Sequence, residues 1–138
     1  MYTQAHAERA NSLLSNTMVE HLDIRFHVDA EGHLCASMPV DSRTHQPAGL
    51  LHGGATVALA ESLGSMGSFL LVDTAAQAVV GIEVNANHLK GVRTGRVTAT
   101  GDLVHRGRTT HVWDIRVRNE AAELCAICRL TTVIVNQR

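Results

Sequence analysis

Two strand-like runs, one long apolar helix and four further strand-like runs predict an α+β domain, with an antiparallel sheet wrapped around one long central helix. Three observations carry this. The stretch at 53–72, GGATVALAESLGSMGSFLLV, is apolar and holds a single ionisable side chain, Glu61. It is rich in small residues on all sides, including Ala55, Ala58, Ala60, Gly64 and Gly67, and it lacks a broad polar stripe, so near-complete burial is expected. The runs on either side alternate with the period of strands and are separated by turn residues.

Taken in order, residues 1–22 form an N-terminal helical segment, with one or two short helices over 3–21 and Ser12 and Asn16-Thr17 as break or cap signals. Residues 23–29 (DIRFHVD) alternate and 33–39 (HLCASMP) resume after Glu31-Gly32, a hairpin signal. Residues 41–51 are a loop punctuated by Pro47 and Gly49. The central helix is expected over 52–72, ending near Asp73-Thr74. Strands follow over 78–89, 95–105, 110–118 and 123–135, the last two joined at Asn119-Glu120. No linker, repeat or low-complexity segment interrupts the chain, so 1–138 reads as a single domain that buries roughly two-thirds of its unfolded surface.

Composition excludes several classes of function. The 12 basic and 13 acidic residues nearly balance, so nothing points to nucleic acid or to an anionic membrane surface. Three cysteines cannot all pair within the chain, and with no signal-peptide pattern at the N-terminus they favour a reducing cytoplasm. The apolar run is long enough to span a bilayer, but Glu61, several Gly and Ser, and the missing basic flank argue against a membrane span.

Glu61 needs an explanation. An isolated carboxylate on an apolar helix is costly unless it is neutral, partnered or used. Ahead of it, the His52-Gly53-Gly54 turn supplies free backbone N–H groups at a helix start, where a developing oxyanion is stabilised. Together they point to hydrolysis of an activated acyl group. Plainer readings compete: Glu61 bridging to a partner chain, the glycines easing helix entry, His52 capping the helix, Gln46 satisfying loop backbone, Ser65 bonding back to its own helix.

Other constellations carry less. Cys125 and Cys128 form a C-x-x-C, but positions i and i+3 of a strand face opposite sides, no second pair exists and Cys35 is isolated. The nine histidines show no H-E-x-x-H or comparable spacing, so no metal is expected. There is no G-x-S-x-G elbow, no P-loop lysine and no dinucleotide fingerprint.

The runs PVDSRTHQPAGLLHGGATVALAESLGS (39–65), VVGIEVNANHLK (79–90) and LCAICRLTTVIV (124–135) resemble the hotdog-fold acyl-CoA thioesterases of the phenylacetate-type and Arthrobacter-type 4-hydroxybenzoyl-CoA group. The similarity lies close to the subgroups that hydrolyse 1,4-dihydroxy-2-naphthoyl-CoA and that proofread enterobactin synthesis. H-G-G followed eight residues later by glutamate in an A-E-S-L-G-S context is a specific motif. The resemblance implies a hotdog fold and hydrolysis of an acyl-CoA, with an aromatic acyl group, to free acid and CoA. Glu61 corresponds to the catalytic carboxylate, as nucleophile or as general base on water. Gly53 corresponds to the glycine whose N–H polarises the thioester carbonyl, and His52 and Gln46 to residues beside that carbonyl. Ser65 matches a hydroxyl that helps hold the carboxylate or water, and His88 a contact to the CoA portion. No cofactor is implied beyond the CoA of the substrate. Related chains serve menaquinone synthesis, siderophore synthesis and aromatic degradation. Two alternatives stay open: proofreading of misloaded aryl or acyl carrier protein, and a non-catalytic acyl-CoA-binding role.

On one helix Gly53 and Glu61 lie about 12 Å apart along the axis, too far for both to act on one carbon. Either the helix breaks or the two come from different subunits. The family's antiparallel pairing of helices implies a composite site in a homodimer, usually within a homotetramer built as a dimer of dimers. For the phosphates of CoA an exposed basic rim is expected, and Lys90, Arg93, Arg106 and Arg108 are the candidates. The apolar acyl pocket is expected to draw on Leu50, Val57, Met66 and Phe69.

Overall fold

A computed structural model describes residues 1–137. The N-terminal segment forms α1 (Gln4–Ser12) and α2 (Met18–His21), and α2 begins where the Thr17 hydroxyl accepts the Glu20 N–H. Strands β1 (Arg25–Val28) and β2 (Leu34–Pro39) make the expected hairpin. Its turn closes on Asp29, whose Oδ1 accepts the N–H groups of Glu31 and His33. After the loop come α3 (Gly53–Phe69), β3 (Gln77–His88), β4 (Arg96–Arg106), β5 (Thr110–Asn119) and β6 (Leu124–Asn136).

All six strands join one antiparallel sheet in the order β1-β2-β4-β5-β6-β3. The chain leaves β2 near one edge and re-enters at β3 on the other. Helix α3 makes that crossing over the inner face of the sheet, and this is the hotdog arrangement. Among the described residues β3 pairs only with β6, which leaves its outer edge open along the strand.

Helix α3 differs from expectation in two respects. It ends at Phe69, because the Leu71 N–H turns back to the Ser68 carbonyl and tightens the last turn. The apolar pattern runs on through Leu71 and Val72, which is why the sequence suggested a longer helix. Near-complete burial is also not found within one chain. Thr56, Leu59, Ala60, Leu63, Gly64, Gly67 and Ser68 are buried against the sheet. The opposite face, carrying Gly54, Val57, Ala58 and Glu61, opens on a cavity, since the strands curl around only one side of the helix.

The buried face is anchored by Trp113 of β5, which is fully enclosed. A Cβ at Gly67 would stand 2.6 Å from the indole, so the missing side chain is what lets the ring lie against α3. The indole N–H donates to Ser68 Oγ (2.9 Å), which also contacts His111 Nδ1 (3.0 Å) and Thr132 Oγ1 (3.1 Å). This network pins the C-terminal half of α3, and therefore Glu61 two turns earlier, to β5 and β6.

Burial pushes the His111 imidazole below its ordinary pKa, and the nearby charges of Arg106 and His105 act in the same sense. The unfolded chain therefore binds a proton at higher pH than the folded one. Stability is present above the ordinary histidine pKa and is lost as pH falls from there toward the folded value. Thermal melts from pH 8 to pH 5 are expected to show this acid loss, and His111→Gln is expected to flatten it relative to the parent.

Candidate active site

Glu61 sits on the open face of α3, lining a cavity of about 560 Å³ with Ser65, Val57, Met66 and Phe69. Met18 and Val19 of α2, Phe26 of β1 and Val79 of β3 complete its apolar wall. The carboxylate is half-buried, and among the described residues it has neither a hydrogen-bond nor an ion-pair partner. Ser65 shares the cavity and the helix face without bonding to Glu61. Glu61 Oε1 lies against the backbone of Gly81, 2.6 Å from where a Cβ would stand.

The helix start forms a second, separate cavity of about 340 Å³, lined by Gln46, Leu50, Gly53, Thr56, His88 and Lys90 among others. The loop ahead of it is held by backbone bonds from His52 N–H to the Thr44 carbonyl and from Leu51 N–H to the Val92 carbonyl, both 2.7 Å. At the helix start, the Gly54 N–H donates to His52 Nδ1 (2.8 Å), while the Ala55 and Thr56 N–H groups go to the His52 carbonyl. Among the described residues the Gly53 N–H has no acceptor, and it is the donor left for a ligand. The His88 ring lies directly over Gly53, 3.0 Å from a would-be Cβ. Gln46 Oε1 is taken by the Ala48 N–H, which leaves the amide NH₂ for the cavity.

Among the lining residues, His52 stands apart from Gln46, Gly53 and His88. Accepting at Nδ1 places its proton on Nε2, and its ring borders a third cavity of about 310 Å³ with Met18, Arg43 and His45. The basic residues do not gather on one rim of the chain. Lys90 borders the Gly53 cavity and pairs with Glu123 at 2.8 Å. Arg93 precedes β4, its carbonyl meeting His45 Nε2 at 2.8 Å. Arg106 and Arg108 lie at the other end of β4, about 33 Å away along the strand. Arg106 there donates to the Leu71 carbonyl. Leu50, expected in the acyl pocket, lines the Gly53 cavity instead, whereas Val57, Met66 and Phe69 line the Glu61 cavity.

Helix α3 runs unbroken between Gly53 and Glu61. Among the described residues, one chain therefore keeps two features apart: a carboxylate above an apolar cavity, and a backbone N–H without an acceptor beside an imidazole and an amide. Several wall residues escaped sequence reasoning. Met18, Val19 and Phe26 come from distant elements and carry no local signal. Gly81 did carry one, as a lone glycine inside a strand pattern, which marks close approach of another group.

A six-stranded antiparallel sheet packed against one long helix defines a protein of the hotdog fold. The chain belongs to the thioesterase superfamily, whose family model matches residues 48–126, more than half of the sequence, and it is a thioester hydrolase. It is 48% identical to the 1,4-dihydroxy-2-naphthoyl-CoA hydrolase of Escherichia coli K12, over 93% of each chain. It is 47% identical to the proofreading thioesterase EntH of Klebsiella pneumoniae, over 91% of this chain and 90% of that one. The crystal structure of a variant of thioesterase PA1618 from Pseudomonas aeruginosa superposes with a TM-score of 0.91 at 55% identity, covering 95% of this chain and 94% of that one.

Proposed function

We propose that the chain hydrolyses aromatic acyl-CoA thioesters to free acid and CoA, within a homodimer in which each site takes Glu61 from one subunit and Gly53 from the other. The observation that carries this is a carboxylate at an apolar cavity that, among the described residues, has no partner, about 12 Å along an intact helix from the Gly53 N–H, which has no acceptor among them either. An antiparallel pairing of two α3 helices about a point near Val57 sets Glu61 opposite the partner's Gly53. The open face offers Gly54 and Ala58 there, small enough for close approach. Pairing of the free β3 edges centred near Val84 and Asn85 likewise sets Gly81 beside the partner's His88. That edge is 12 residues long with Val80 46% and Ile82 59% exposed, a surface that a soluble monomer ordinarily protects.

In the reaction, the thioester carbonyl accepts from the Gly53 N–H at the positive end of α3, while Glu61 attacks the carbonyl carbon or takes a proton from water. Gln46 and His52 serve the carbonyl and Ser65 the carboxylate or water. His88 and Lys90 meet the CoA portion, and Arg106 and Arg108 serve the nucleotide only if a second subunit brings them near. Phe26, Phe69, Met18 and Met66 suit a flat aromatic acyl group by stacking and thioether contact. None of these steps calls for a metal or a cofactor of its own. A dimer of dimers and a cytoplasmic setting belong to the same reading; among the described residues no helix is long and apolar enough to cross a membrane.

A second reading, proofreading of misloaded aryl carrier protein, is favoured by the similarity to EntH, whose identity to this chain nearly equals that of the naphthoyl-CoA hydrolase. A thiol-release panel separates the two. Aromatic acyl-CoAs are expected to exceed medium- and short-chain acyl-CoAs in kcat/KM by at least about tenfold, the worth of a well-fitted apolar pocket. Faster turnover of an aryl-loaded carrier protein than of the matching CoA ester selects the second reading. Equal rates across all acyl groups reject an aromatic pocket.

A further inference from the structure

We propose that Gly81 is the positioning residue for Glu61, and that its missing side chain is what allows the carboxylate to stand where it reacts. This rests on the reading of Glu61 as the reacting carboxylate. Glu61 has no hydrogen-bond donor within the chain among the described residues, so no polar partner fixes its head group. What it touches instead is strand β3. A Cβ built at Gly81 would meet Glu61 Oε1 at 2.6 Å and Cδ at 3.7 Å, whereas the next neighbour, Leu130 Cδ1, is 3.9 Å away. A separation of 2.6 Å is well inside van der Waals contact. Any side chain at this position displaces the carboxylate toward the cavity.

The surrounding backbone fits a positioning role. Gly81 pairs with Thr132, and the register of β3 on β6 then slips, leaving Ile82 as an extra residue before Glu83 resumes pairing with Thr131. A bulge of this kind bends the strand and redirects its side chains, and bulges gather next to active sites. Here it falls beside the glycine that receives the carboxylate. Gly81 does not adopt the left-handed conformation that favours glycine, so its backbone tolerates alanine. Glycine is therefore not demanded by the chain path. It is demanded by the space that Glu61 occupies. Among the described residues, a seat made of a Cα and apolar walls leaves both carboxylate oxygens without a strong donor, which keeps them available as nucleophile or base.

The test is a double-substitution cycle read by steady-state hydrolysis of benzoyl-CoA, with melting temperature and oligomeric state measured on each protein. Gly81→Ala is expected to lower kcat by roughly 10–100-fold, the scale of a misplacement near 1 Å, with KM little changed. Its melting temperature and oligomeric state are expected to match the parent. Glu61→Asp withdraws the carboxylate by about 1.5 Å, one carbon–carbon bond. In the parent this is expected to be severe, and in the Gly81→Ala background it is expected to cost markedly less, because the shorter side chain clears the added methyl. Such coupling is the sign that one residue acts through the other. Parent-like kcat in Gly81→Ala, a loss confined to KM, strictly additive losses, or a loss that tracks dissociation of the oligomer each overturn the proposal. If instead Glu61→Gln retains parent kcat, the reading of Glu61 as reacting carboxylate is what has failed.

Discussion

Replacing Glu61 with Gln is expected to reduce thioester hydrolysis by roughly 10³-fold or more while leaving the fold at least as stable as the parent. The two effects have separate causes. Glutamine keeps the volume and the helix propensity of glutamate, so packing against Gly81 is preserved. It removes the negative charge, which is the property required of a nucleophile or a general base, and general-base catalysis alone supplies about 10²–10⁴-fold. Stability is not expected to suffer, because the carboxylate has no ion pair or hydrogen bond within the chain, among the described residues, that its removal would orphan. Steady-state rates beside thermal melts of the two proteins check both halves. A loss of only a few-fold rejects a reacting role for Glu61. A marked drop in melting temperature points to a bridge from Glu61 to a partner chain, the plainer explanation of a carboxylate on an apolar helix. Rapid-quench detection of an acyl-enzyme on the parent then separates attack by the carboxylate from activation of water.

The fold was legible because its signals are local. Each strand runs within two residues of its expected bounds, since turn residues such as Gly32 and the Asn119-Glu120 pair punctuate clear alternation. The Thr17 cap was readable for the same reason. The end of α3 was not, because apolar residues continue beyond Phe69 and only backbone bonding reveals the turn. Within the site, the motif residues were legible as a set but not as a geometry. Gln46, Gly53 and His88 come together around one cavity although the first and the last lie 42 positions apart. His52 borders another cavity because its ring is committed to capping Gly54. The basic residues illustrate the limit of reading along the chain. Lys90 and Arg106 look like members of one cluster in sequence, but the length of β4 lies between them.

Mixing two inactive proteins is expected to restore activity. Gly53→Val places a branched side chain where even a Cβ would stand 3.0 Å from the His88 ring. It therefore displaces the helix-start donor and the imidazole together, at an expected cost of roughly 10²–10³-fold. Glu61→Gln disables the other half-site. If one subunit supplies the donor and the other the carboxylate, a mixed dimer holds one site with both lesions and one site with none. Random re-pairing of equal amounts makes about half the dimers mixed, so activity is expected to recover to about a quarter of the parent value, far above either variant alone. The recovery must depend on exchange: it appears after dissociation and reassociation, and not when the two proteins are simply combined and assayed at once. Two sites each contained within one chain predict no recovery under any mixing protocol. Helix geometry makes that outcome difficult to reconcile with catalysis, since an intact α3 keeps Gly53 and Glu61 about 12 Å apart and a single carbonyl cannot reach both. A negative result after verified exchange therefore removes one of the two groups from the reaction. Rates of the separate variants identify which.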